Sequence, residues 1–106
     1  MTAVFSPPAQ LVLAPEHLKL VQKILRKHAP RHRAFAFGSR VVTGAQDRKR
    51  LKPHSDLDLA LEGPALPLEK AFALRDALSE SDLPMRVDVI SAADIPTSWK
   101  LRTCPL

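Results

Sequence analysis

Two stretches, Phe35-Ala36-Phe37-Gly38-Ser39-Arg40 and Ser55-Asp56-Leu57-Asp58-Leu59-Ala60-Leu61, decide how this chain is read. The first is a short apolar run that breaks at Gly-Ser. The second alternates apolar and acidic residues. Side chains along a strand point to opposite faces in turn, so Asp56 and Asp58 project together while Leu57, Leu59 and Leu61 project to the other side. A related run, Arg86-Val87-Asp88-Val89-Ile90, carries a further carboxylate between valines. These runs predict strands at about 34–37, 56–61 and 85–90, with a breaker at Gly38-Ser39.

Working outward, Pro15 suits a first helical position and Glu16 suits the positive end of the helix dipole. Leu18, Val21, Ile24, Leu25 and Ala29 then form a helical apolar stripe that Pro30 terminates. A second helix is predicted from Pro67, with Leu68, Ala71, Phe72, Leu74 and Leu78 as its core stripe, fading near Ser81-Asp82 before Pro84. Residues 40–43 suit one helical turn. Residues 44–54 read as a polar, basic loop. Residues 92–94 suit a turn, and 97–102 a short terminal helix begun by Pro96. Residues 1–14, with Pro7-Pro8 and Leu11-Val12-Leu13, read as a tail with one short extended piece. The fold class expected is α/β (α+β): a small mixed sheet flanked by helices, forming one domain over 15–106.

Composition bounds the function classes. At 106 residues, 45% hydrophobic and 25% charged, the chain suits one globular core and not a disordered polymer. No apolar run approaches the roughly 18 residues needed to cross a bilayer, so no membrane role is expected. Residues 1–13 lack the basic start of a signal peptide, and the cytoplasm is the expected compartment. Cys104 is a single cysteine, which agrees with a reducing environment. The net charge of +5 is concentrated before Asp56 and suits an anionic substrate, a nucleic acid or an acidic partner.

The carboxylates carry the chemistry. Asp56 and Asp58 on one strand face, with Asp88 on a neighbouring strand, repel one another unless a cation lies between them. Magnesium takes carboxylates together with water and substrate phosphates. Such a set suits two Mg2+ ions, one on a triphosphate and one lowering the pKa of an attacking hydroxyl. Gly38 permits close backbone approach, and Ser39 can donate to a phosphate oxygen. Arg40 suits charge developing on a leaving group. Each signal is common alone; their order and strand contexts make them specific together. His17, His28, His32 and His54 have no zinc-ligand spacing. His54 reads as a loop histidine near the aspartates, and Trp99 as core or interface.

The set Gly38, Ser39, Asp56, Asp58 and Asp88 resembles the nucleotidyltransferase superfamily with the DNA polymerase β-like fold. Its wording looks like the minimal nucleotidyltransferase (MNT) branch over residues 16–101. That resemblance implies Asp56, Asp58 and Asp88 as metal-binding catalytic residues and Gly38, Ser39 and Arg40 as nucleotide-binding residues. It implies transfer of AMP from ATP, in some members onto a tyrosine of a HEPN-domain toxin that the MNT protein neutralises as antitoxin. The sixteen residues from Arg40 to Ser55 exceed the family's usual linker, with the excess in the basic stretch 46–52. Other readings are an antitoxin acting by contact alone and an RNA-directed transferase using that basic stretch. A chain this small also suggests a homo-oligomer or a partner to complete the acceptor site.

Overall fold

A computed structural model describes residues 9–52, 54–97 and 103–106, and for residues 45–47 the backbone only. The expected terminal helix, Trp99 and residues 1–8 of the expected tail lie outside the described residues.

The elements run β1 (Gln10–Leu11), α1 (Pro15–His28), β2 (Arg33–Phe37), a 3-10 turn (Gly38–Arg40), β3 (Val41–Val42), α2 (Ala45–Arg50), β4 (Leu57–Glu62), α3 (Leu68–Ser79), β5 (Val87–Ser91), a 3-10 turn (Ala92–Asp94) and β6 (Cys104–Pro105). The main sheet has the order β5-β4-β2-β6, and β1 with β3 forms a separate ribbon. β4 is antiparallel to β2 and parallel to β5, so the sheet is mixed.

α1 begins at Pro15 and carries Glu16 in its first turn and Arg26, Lys27 and His28 in its last, matching charge to the dipole at both ends. It stops at Ala29, which leaves the helical region (φ −141°, ψ 58°) because the following Pro30 disfavours it. Val21 and Leu25 of α1 and Leu74 and Leu78 of α3 pack with Ala36, Leu57, Leu59, Leu61 and Val89 of the sheet. Both helices therefore cover the face to which the β4 leucines point. Leu57 and Leu59 are fully buried; truncating either to alanine should cost about 2–5 kcal/mol.

The opposite face is not bare. Phe37 and Ala60 form a second small apolar cluster with Ile95. Asp58 leaves the leucine face and emerges beside this cluster, because it alternates with Leu57 and Leu59.

Several expectations are corrected. Residues 41–42 are a strand, not a helical turn, because Val41 and Val42 pair with Leu11 and Gln10. The stretch read as a loop over 44–54 contains α2. Its sequence AQDRKR favours helix without offering an apolar stripe. Phe72 is not core: it is 53% exposed, and Leu68 is 72% exposed. The chain end, Cys104–Pro105, adds an antiparallel strand to β2.

Candidate active site

Register brings the expected groups together. Phe37 lies opposite Asp58 across β2 and β4, and Asp58 lies beside Asp88 across β4 and β5. Gly38, one residue past Phe37, thus arrives at the Asp58 carboxylate. Its φ is +82°, a left-handed conformation that suits glycine. A Cβ at this position would land on Asp58 Oδ2. The glycine is therefore required twice, by backbone conformation and by the carboxylate packed against it. Ser39 follows it in the turn and is exposed.

Electrostatics single out Asp58. Its pKa is raised, first by burial and then by the negative charges of Asp88 and Asp56. Asp56 precedes β4 and is exposed. Asp88 is 43% exposed, with its Oδ1 3.3 Å from Arg86 Nε. The arrangement sets two negative charges beside one half-buried carboxyl and so disfavours its ionisation.

Arg40, expected at a phosphate, is only 5% exposed. Its Nε donates to the Ser55 carbonyl oxygen at 2.7 Å, and its Nη1 donates to the Val12 carbonyl oxygen at 3.0 Å. Burial lowers its pKa, and the negative charge of Asp56 opposes that shift. The Arg40 carbonyl in turn accepts from Val12 N–H at 2.7 Å. Arg40 therefore ties the β1 end to the residue just before Asp56. Nothing in the sequence around Arg40 announces this; a buried arginine after Gly-Ser looks like an exposed one.

The donor set suits a hard divalent cation. It is all oxygen, and the repulsion from Asp88 and Asp56, which adds to burial in raising the Asp58 pKa, is a stress that such a cation relieves. Among the described residues no group of three metal-binding side chains stands preassembled. A bound cation would draw Asp88 from Arg86 and Asp56 from solvent. His54 is exposed and contributes nothing visible to this set.

No protein-family model matches the sequence. The chain is 42% identical over 87 residues to the "Probable protein adenylyltransferase MntA" of Haemophilus influenzae (strain ATCC 51907 / DSM 11121 / KW20 / Rd), a match that spans 80% of this chain and 70% of that relative. The chain belongs to the minimal nucleotidyltransferase family. In this minimal nucleotidyltransferase the long link between Ser39 and Asp56 is filled by β3 and α2. Arg48, Lys49 and Arg50 of α2 are exposed, and Arg48 Nη2 donates to Gln10 Oε1 at 3.4 Å. No described helix is long and apolar enough to cross a membrane.

Proposed function

We propose that this chain transfers AMP from ATP to a hydroxyl of a protein acceptor, with Mg2+ as cofactor, as the antitoxin of a HEPN/MNT pair. The observation that carries the reading is the meeting of Asp58, Asp88 and Gly38 at one point of the sheet. The printed name of the Haemophilus influenzae relative, a protein adenylyltransferase, supports the same direction.

In this reading Asp56, Asp58 and Asp88 would hold two Mg2+ ions, whose chemistry would be to offset triphosphate charge and make the acceptor hydroxyl more acidic. The Gly38-Ser39 corner brings backbone and the Ser39 hydroxyl to the phosphates. Arg40 serves them indirectly, by fixing Ser55 and hence the start of the Asp56-x-Asp58 strand. Asp88 accepts the proton of the acceptor hydroxyl. The acceptor oxygen bonds to the α-phosphorus, the bond from that phosphorus to the α,β-bridging oxygen breaks, and pyrophosphate leaves. The reading also takes residues 15–106 as one catalytic domain and residues 1–14 as its tail, placed in the cytoplasm.

The test uses purified chain, α-labelled ATP, Mg2+ and the proposed HEPN-domain partner, sought in the adjacent reading frame. Labelled partner with wild type, and none with Asp58→Asn, is expected. Equal labelling by both proteins would overturn the reading. Neutralisation by contact alone is the competing reading, favoured by the Arg86–Asp88 pair. It requires an Asp56→Ala/Asp58→Ala double variant to neutralise as well as wild type.

A further inference from the structure

Among the described residues β5 is an edge strand, and the strand carrying Asp88 therefore has an unshared side. Its bonding pattern follows from one contact: Leu57 N–H donates to the Arg86 carbonyl at 2.9 Å. In a parallel pair the bonded residues alternate, so Asp88 and Ile90 turn their backbone groups toward β4. Val87, Val89 and Ser91 then turn theirs outward. Arg75 agrees with this, because its Nη2 reaches the Val89 carbonyl at 3.3 Å from α3. Proteins blunt open edges with charged side chains, and here one arginine covers one carbonyl.

The surface around this edge is shaped. A depression of ≈ 720 Å³ wraps β5, touching Leu78, Leu83 and Met85 on the helix side and Asp58 and Asp88 on the other. A second cavity of ≈ 260 Å³ continues it past Arg75 to Leu66, Ala71 and Asp94. Phe72 and Leu68 stand one and two turns before Arg75 on the same side of α3, exposed. The exposed Arg86 adds positive charge near the carboxylates.

We propose that the protein acceptor binds as an extended strand added to the β5 edge, with an apolar side chain against Leu68 and Phe72 and an acidic one facing Arg75. This rests on the transfer reading above and names how the acceptor is held. Four features favour a strand over a helix as the occupant. The open groups repeat along β5, the groove follows the strand, and the carboxylates line one flank of it. A strand's side chains also alternate, so one set can face the Asp58 and Asp88 side while the other packs toward α3. The hydroxyl to be modified then belongs to the residue nearest Asp88. Arg75 leaves the Val89 carbonyl to pair with the acidic residue, freeing that one carbonyl for the incoming strand.

The experiment uses the whole chain with the HEPN-domain partner of the proposed function as probe. Amide exchange is followed at Val87, Val89 and Ser91, and transfer kinetics are measured for wild type, Leu68→Glu/Phe72→Glu and Arg75→Ala. The partner should slow exchange at those three outward amides. Both variants should raise the acceptor KM by about tenfold, while ATP affinity and kcat stay within about twofold of wild type. The two altered sites are exposed, so thermal denaturation should match wild type within a few degrees. Transfer without protection of the outward amides, or with an unchanged acceptor KM, would overturn this inference alone. Absence of transfer by the unaltered chain would overturn the function reading and this inference with it.

Discussion

Replacing Gly38 by alanine forces a methyl group onto the Asp58 carboxylate while holding an L-residue at a φ of +82°. The conformational part costs about 1–2 kcal/mol. The steric part resembles overpacking and costs about 1–3 kcal/mol. The sum, about 2–5 kcal/mol, should lower Tm by roughly 10 °C or more in a domain of this size. The two parts can be separated. In an Asp58→Ala background the oxygen is gone, and the nearest remaining atom of residue 58 is its Cβ, 3.4 Å from the new methyl. That is ordinary contact, so only the conformational part should survive. Urea denaturation of wild type, Gly38→Ala, Asp58→Ala and the double variant gives the coupling directly. A coupling of about 1–3 kcal/mol is expected. If the two substitutions add to within about 0.5 kcal/mol, Gly38 does not rest on the Asp58 carboxylate and the site is assembled differently.

Asp58→Asn should stabilise the fold while removing activity. The folded-state pKa of Asp58 is raised by burial, Asp88 and Asp56, so the folded form holds its proton after the unfolded form has lost it. Stability therefore falls as pH rises from the unfolded pKa through the folded one, and the penalty is complete above both. The gain from Asn, about 0.2–1 kcal/mol for relief of a like-charge neighbour, should appear at neutral pH and vanish in acid; a gain that persists in acid would contradict it. Arg40→Met leaves the Val12 and Ser55 carbonyls without that donor and should cost about 1–3 kcal/mol, with faster amide exchange at Val12; Arg40→Lys should not restore it, since one ammonium replaces a planar fork. Phe72→Ala should change unfolding free energy by less than about 0.5 kcal/mol, against about 3–5 kcal/mol for a core phenylalanine.

The long elements were legible because their patterns are sustained. The stripe Val21-Ile24-Leu25 and the alternation around Asp58 each repeat often enough to fix a period, and Pro15 and Pro30 mark the ends of α1 by chemistry. The structure sets β4 at Leu57–Glu62 and β5 at Val87–Ser91, close to the strands expected. The two-residue strands were not legible, because Val41–Val42 and Cys104–Pro105 are too short to show a period and exist through their partners. α2 escaped because AQDRKR has no apolar face to count. α3 carries two apolar lines, Leu68-Phe72 and Ala71-Leu74-Leu78, and only packing against α1 and the sheet decides that Leu74 and Leu78 of the second are buried. Of the site, residue types and order were visible in advance. The register of Asp58 with Asp88, the packing of Gly38 on Asp58 and the burial of Arg40 depend on tertiary structure.

The most direct measurement compares α-labelled with γ-labelled ATP in the presence of Mg2+ and the HEPN-domain partner proposed above. Label from the α-position should appear on a partner hydroxyl and label from the γ-position should not. Removal of Mg2+ or substitution of Asp58 by Asn should abolish it. Label from the γ-position, or α-label that survives in the Asp58→Asn variant, would contradict nucleotidyl transfer at the Asp58–Asp88 pair.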